Sequence, residues 1–375
     1  MWEGSDGTVV ALQRPNGHRV IKVNGGYGLG STAAFLEQAY QSRIPLHLFP
    51  ETETIFFLGL GTGISAGAAL DERFPNVRRI VSCELIPEVV EAAMAWIPEE
   101  MTGGVFTDPR STVLIEDGRH FLHATRERFD MINSDLFLPY RRGAGSLYSL
   151  EHYRVAASRL NEGGVFVQWL PLYQLTEFDF NVIARTMLEA FDEVTMWRNN
   201  FEPGLEKVAL IGRMDSSPMP VPEGGRRAAM LAAVDGLAWQ ATTPDMFRVA
   251  ADSMPFLYAG NLSASAHLFD GVPVNTDNRP IIEYQTPITF RNVAQDDEVI
   301  WFVGPRLSAW VDRLLSESPL EDDPVWAGHP EETKHLVRAG AAFHRTMVRR
   351  ALGESPAEVD VAWQAFLREW RAGAR

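Results

Sequence analysis

Four short apolar runs in the first part of the chain end in the same way. Ile55-Phe56-Phe57-Leu58 breaks into Gly59-Leu60-Gly61-Thr62-Gly63, and Arg79-Ile80-Val81-Ser82-Cys83 ends at Glu84. Thr112-Val113-Leu114-Ile115-Glu116 ends at Asp117-Gly118, and Phe129-Asp130-Met131-Ile132-Asn133-Ser134 ends at Asp135. Runs of this length, rich in β-branched and aromatic residues and closed by glycine or an acid, predict strands. The stretches between them show helical spacing near 63–73, 87–97 and 118–125. The alternation continues with strands near 164–169, 193–198 and 206–212, and helices near 149–160 and 176–190.

Alternating strands and helices predict an α/β protein with a doubly wound, mostly parallel sheet. The last two strands have only Asn199 to Leu205 between them, too short for a crossover helix, so they are expected to be antiparallel. Seven strands with an antiparallel last pair suggest the Rossmann-like, class I methyltransferase type of sheet.

Ahead of the sheet, Thr8 to Gln13 and Arg19 to Val23 flank Pro15-Asn16-Gly17, a hairpin signal in which Asn-Gly supplies positive φ. Residues 31–43 carry a helical pattern, and Ile44 to Pro50 is read as a lead into the first parallel strand. Asp215 to Arg227 is rich in serine, proline and glycine and reads as linker. The expected organisation is a small N-terminal β-domain with a linking helix over 1–50 and a Rossmann-like nucleoside-binding catalytic domain over 51–214. A mostly helical extension over 215–296 and a helical tail over 297–375 follow.

Composition narrows the classes. With 34 Lys and Arg against 49 Asp and Glu, the formal net charge is −15. That disfavours nucleic acid, whose affinity comes largely from cations on phosphate, and an acidic field favours cationic small molecules. No apolar stretch approaches the roughly 20 residues of a membrane helix. The N-terminus has neither a basic region nor an apolar core, so no signal peptide is expected. A single cysteine, Cys83, inside an apolar run, fits a core residue and a cytoplasmic location.

Candidate chemistry gathers where the four runs end. In an open parallel sheet, ligands bind outside the carboxyl ends of the strands. Gly59, Gly61 and Gly63 let the backbone pass close to a ligand. Their G-x-G-x-G spacing has Ile64 where a dinucleotide fingerprint needs glycine, which points to an S-adenosylmethionine-type site. Glu84 can accept two ribose hydroxyls or cap the next helix. Asp117, with Gly118, can face an adenine amino group, cap a helix, or both. Asp135 heads a loop, Leu136 to Ser146, that carries glycines, Tyr140 and two arginines and reads as a lid. His120 and His123 are three apart with no third ligand evident, and no metal is expected.

With these residues the chain resembles the spermidine synthase (polyamine aminopropyltransferase) family, over roughly residues 8–213. It is most similar to the branch found fused to membrane transporter segments, because Asn275 to Tyr284 is similar to a C-terminal feature of that branch. The resemblance implies decarboxylated S-adenosylmethionine as co-substrate, a small amine as acceptor and a homodimer. It places the cofactor glycines on Gly59 to Gly63, the ribose acid on Glu84, the adenine Asp-Gly on Asp117-Gly118 and the catalytic acid on Asp135. Gln38 falls where the family holds the transferred arm, and Gln168 near the amine site. The Gly145 to Tyr148 stretch resembles the segment after the catalytic loop.

Four positions depart from the pattern. Thr62 stands where an Asp is usual, Leu138 where the loop has a second Asp, Glu37 where a Tyr precedes the Gln, and Phe201 near a late channel Tyr. The adenosine half is thus kept and the diamine half, to which Tyr140, Gln168 and Phe201 are assigned, is largely rewritten. The expected function is aminopropyl transfer to an amine. An S-adenosylmethionine-dependent methyltransferase and a non-catalytic nucleoside-binding domain remain open alternatives.

Overall fold

A computed structural model describes all residues except 6, 26, 136, 216–233, 235–236, 243–253, 295–298 and 374–375. The chain divides into two compact units, Met1–Asp135 with Val155–Gln168, and Leu136–Arg154 with Trp169–Arg375.

The first unit opens with a four-stranded antiparallel sheet, β1 (Trp2–Glu3), β2 (Thr8–Gln13), β3 (Arg19–Val23) and β4 (Tyr27–Ser31), in sequential order. β2 and β3 match the predicted hairpin to the residue. β1 and β4 were not foreseen, since one has two residues and the other, Tyr27-Gly28-Leu29-Gly30-Ser31, alternates with glycine. The inner face of this sheet, Val9, Ile21 and Val23, packs into one core with Ala39, Ile64, Val89, Ala92 and Ala93 from three helices. Arg19 pins the sheet to the helix Pro87–Trp96, donating to Trp96 O at 2.8 Å and lying 5.4 Å from the Trp96 ring centre.

The helix predicted to stop before Pro45 continues through it, over Phe35–Leu48. Proline has no N–H for the carbonyl four residues earlier, the usual reason it ends a helix. Here the orphaned Gln41 O is satisfied from outside: buried Asn133 donates Nδ2 to it at 3.1 Å. A tertiary hydrogen bond replaces the missing local one.

Strands β5 (Thr54–Leu58), β6 (Arg79–Glu84), β7 (Ser111–Ile115), β8 (Phe129–Ser134) and β9 (Leu160–Pro171) are parallel, ordered β9-β8-β5-β6-β7. The chain leaves β5 to one side through β6 and β7, then returns to its other side with β8. That reversal makes the carboxyl ends of β5 and β8 a topological switch point. β9 begins earlier than predicted, taking Leu160 to Gly163 into the strand.

The second unit carries β10 (Glu193–Arg198), β11 (Lys207–Arg213) and β12 (Tyr258–Asn261), with β10 antiparallel to both of the others. The antiparallel pair is as expected. β12 adds a strand to the seven predicted, from only four residues, Tyr-Ala-Gly-Asn, inside a stretch read as helical. The tail supplies helices Pro305–Glu317, Glu331–Ala351 and Pro356–Gly373. The last two present Phe343, Phe366 and Trp370 to Phe256 in a buried aromatic cluster. The predicted linker, 215–227, lies almost wholly outside the described residues. No helix among the described residues is long and apolar enough to cross a membrane.

Candidate active site

Strand register places the candidate residues at one level. Leu58 pairs with both Cys83 and Ser134, and Ser134 pairs with Gln168. The residues that follow, Gly59, Glu84 and Asp135, therefore leave adjacent strands together. Glu84 pairs with Ile115, which sets Asp117 two residues beyond the end of β7. Gly59, Gly61 and Gly63 have φ of 92°, 57° and 79°, a region in which L side chains are strained, so the turn requires glycine.

Glu84 is 7% exposed and braces this turn. Its Oε2 accepts from the Gly61 N–H at 3.1 Å and the Leu60 N–H at 3.3 Å, and its Oε1 from the Ile86 N–H at 3.1 Å. A carboxylate offers about four acceptor sites. The three amides fill three of these and leave one on Oε1 for a further donor.

Asp117 caps the helix Gly118–Ala124. Its Oδ1 accepts from Arg119 N at 2.8 Å and His120 N at 3.1 Å. Both bonds use one oxygen, which leaves Oδ2 for an outside donor. Gly118 passes close beneath, where an added Cβ would sit 3.0 Å from Leu58 Cγ.

Asp135 extends the ladder through its N–H to Leu58 O at 3.3 Å. A Cβ at Gly61 would lie 3.9 Å from Asp135 Oδ2. Gly61 therefore has one carboxylate on its N–H and another beside its Cα. Gln38 and Thr62 meet next to it: the Thr62 hydroxyl donates to Gln38 Oε1 at 2.6 Å, while Gln38 Nε2 donates to Ser31 O and Ala34 O at 2.9 and 3.2 Å. Gln168 is fully buried within β9, paired with Ser134.

Tyr140 and Phe201 lie in the second unit. Tyr140 is half-buried, with its ring stacked on Phe290 at 3.8 Å and 10°, and burial raises its phenol above the ordinary value. Phe201 is 2% exposed and sits in the core, 5.0 Å from the Phe256 ring and 5.1 Å from the Phe343 ring. In that position the ring is packed among aromatic side chains. The sequence predicted a helical tail but not that it encloses this ring.

The Cys83 thiol is buried and pushed up to about 12, by burial and then by Glu116, Asp117 and Glu84, so it serves as core and not as a nucleophile. Asp130 was not singled out from sequence. Its Oδ2 accepts from Glu53 N, Thr54 N and Thr54 Oγ1 at 2.8–3.0 Å, and its Oδ1 from Asn161 Nδ2 at 2.7 Å. It joins the amino ends of β5, β8 and β9, opposite the candidate site. Its place as the one charged residue in an apolar run was the available signal.

A family profile described as spermine/spermidine synthase domain matches residues 9–198, just over half of the chain. The polyamine aminopropyltransferase of Yersinia pestis (strain Pestoides F) is 31% identical over 161 residues, 42% of this chain and 52% of that protein. The chain thus spans about half the length of the curated relatives it matches. A crystal structure of a "probable spermidine synthase" from Corynebacterium glutamicum ATCC 13032 has a TM-score of 0.50 at 15% identity, covering 74% of this chain and 95% of that one. That structure shares the fold. From the profile over residues 9–198, the chain belongs to the spermine/spermidine synthase family.

Proposed function

We propose that the protein is a transferase that moves an aminopropyl group from decarboxylated S-adenosylmethionine to a small amine. The observation that carries this reading is the placement of Gly61 between Glu84, at 3.1 Å from its N–H, and Asp135, whose Oδ2 lies 3.9 Å from the position of a Cβ on Gly61. A nucleoside lying across the glycine turn would have its ribose against Glu84 and its sulfur end toward Asp135. Asp117 Oδ2, free of the capping bonds, would take the adenine amino group. The co-substrate supplies an electrophilic carbon on a sulfonium that leaves as neutral methylthioadenosine.

The chain's part is to orient the amine and remove its proton. The amine lone pair forms the new C–N bond while the C–S bond breaks and its electron pair stays on sulfur. The nitrogen is then positive and gives a proton to Asp135, a positioned carboxylate acting as general base. In-line delivery at close range supplies much of the remaining rate. Gln38 bounds the transferred arm, and Gln168 and Tyr140 are the acceptor-side candidates. Phe201 is left out because it is enclosed.

A homodimer, a cytoplasmic location and kinship with the transporter-fused branch belong to the same proposal. The homodimer is carried over from the family, the cytoplasmic location rests on the single, free Cys83, and the kinship is supported by Asn275 to Tyr284. Methyl transfer is the second reading, favoured by one observation: Thr62 gives the transferred arm a neutral neighbour where an acid is usual.

Calorimetry with methylthioadenosine, decarboxylated S-adenosylmethionine, S-adenosylmethionine and NAD, followed by mass spectrometry over an amine panel, separates these readings. The expected outcome is methylthioadenosine binding, no NAD binding and an acceptor heavier by one aminopropyl group. An acceptor heavier by one methyl group would establish the second reading. Tight NAD binding would sink both.

A further inference from the structure

The loop after Asp135 contains three glycines or prolines within residues 139–145 and an Arg-Arg pair, the composition of a free lid. Within the second unit it is instead held at several points by one segment, residues 275–290. Glu283 Oε1 accepts from the Gly143 N–H at 2.7 Å, and Oε2 accepts from the Gly145 N–H at 2.9 Å. These amides open the short 3-10 turn Ala144–Tyr148, whose first N–H groups have no partner inside the turn. Bonds from N–H to a carboxylate are about twice as strong as neutral ones.

Asn275 is fully buried and ties the same loop from its other side. It donates Nδ2 to Gly145 O at 3.0 Å, and its own carbonyl accepts from Leu150 N at 2.9 Å. The Thr286 hydroxyl lies 2.6 Å from Pro139 O. Phe290 covers the Tyr140 ring. Gly145 is required for this contact, since a Cβ there would fall 2.6 Å from Glu283 N and 2.7 Å from Glu283 Cα.

We infer that Glu283 and Asn275 are positioning residues, which fix the loop following Asp135 so that the acceptor side is preset before the amine arrives. The inference rests on the proposed transferase reading for its catalytic meaning. Asp135 is joined to this loop by the chain, whereas Glu84 and Asp117 stand on other strands. Releasing the loop should therefore disturb acceptor use and spare the nucleoside.

The test uses the full chain with Glu283→Ala, Glu283→Gln and Gly145→Ala. Trypsin cleavage after Arg141 and Arg142, identified by fragment mass, reports loop opening, because cleavage follows the population of the open form. Methylthioadenosine affinity reports the nucleoside half, and acceptor KM and kcat report the rest. In Glu283→Ala and Gly145→Ala, cleavage should accelerate about tenfold or more. Acceptor KM should rise about tenfold, and methylthioadenosine affinity should stay within about twofold. Glu283→Gln, which can accept only one of the two N–H bonds, should fall between wild type and Glu283→Ala.

Unchanged cleavage in both Glu283→Ala and Gly145→Ala would overturn the clamp. Faster cleavage with unchanged acceptor kinetics would overturn its positioning role. If the wild type transfers nothing to any amine, the transferase reading falls by itself. The clamp is then judged on cleavage and nucleoside affinity: faster cleavage at unchanged affinity supports it, and unchanged cleavage overturns it.

Discussion

The Thr62 hydroxyl donates a 2.6 Å hydrogen bond to Gln38 Oε1 and so fixes which end of the amide faces the glycine turn. Gln38 Nε2 is already committed to two backbone carbonyls, so flipping the amide would lose both of those bonds and set its oxygen against them. Gly30 makes room for the pair: a Cβ there would meet Thr62 Cγ2 at 2.5 Å and Gln38 Oε1 at 2.8 Å. A cationic arm in this corner finds neutral oxygens and no adjacent carboxylate at position 62.

Thr62→Asp should therefore tighten decarboxylated S-adenosylmethionine relative to methylthioadenosine, which has no ammonium. A hydrogen bond to a charged group contributes about 1.5–3 kcal/mol, so the affinity ratio should grow by roughly ten- to a hundredfold. Calorimetry with both ligands measures it. A ratio that does not move would mean that the arm does not reach Thr62.

Glu84 braces the glycine turn and, on the proposed reading, holds the ribose; two substitutions separate these roles. Glu84→Ala removes the acceptor for the Leu60, Gly61 and Ile86 amides and, on that reading, for the ribose. Nucleoside affinity should fall by about 1.5–3 kcal/mol, with a lower melting temperature. Glu84→Gln keeps one acceptor oxygen, and the amide nitrogen that replaces the other cannot accept. It should recover part of the thermal stability with less of the affinity. Equal nucleoside affinity in wild type and Glu84→Ala would show that the ribose lies elsewhere.

The strands that carry the candidate residues were legible because each rests on local signals. Apolar runs ending in glycine or acid at regular intervals define β5 to β8, and parallel pairing brings their ends to one level. What was missed depended on distant partners. The helix through Pro45 persists because Asn133, far along the chain, supplies the bond that proline cannot. β12 is too short to show a period and is recognisable only beside β10. The burial of Phe201 was invisible because the helices that bury it come more than a hundred residues later. The hydrogen bonds from Asn275 and Glu283 to the loop after Asp135 were invisible for the same reason, since these partners are equally remote.

Asp130 predicts how the fold responds to acid. Burial by itself would raise this carboxyl, but the hydrogen bonds from Asn161, Thr54 and Glu53 outweigh it and hold it below its ordinary value. A group lowered in the folded state adds stability above its unfolded pKa, about 3.9, and loses it as pH falls through the folded value. Asp130→Asn should thus destabilise the protein by about 1–3 kcal/mol at neutral pH and progressively less in acid. Denaturant melts at neutral pH and near pH 3 give the comparison. A penalty independent of pH would remove the Asp130 charge from the account.

Asp135 and Leu138 together make the most discriminating prediction about the reaction. If Asp135 takes the proton of the attacking amine, Asp135→Asn should fold, bind methylthioadenosine as wild type does, and turn over about 10²–10⁴-fold more slowly. Binding should survive because Glu84 and Asp117 are untouched. On the proposed reading, Leu138 stands where a second acid would meet the far ammonium of a diamine. A charged end placed against leucine is desolvated without a partner, which is costly. Putrescine should accordingly be a poor acceptor, and an amine with an apolar tail a better one. Leu138→Asp should move preference back toward putrescine, measured as the ratio of kcat/KM for the two amines. The gain is limited by Glu37 and by the enclosed Phe201, since neither supplies the tyrosine usual at its place. Efficient putrescine turnover by the unmodified protein would end the idea of a rewritten amine site. Full activity in Asp135→Asn would take Asp135 out of the chemistry.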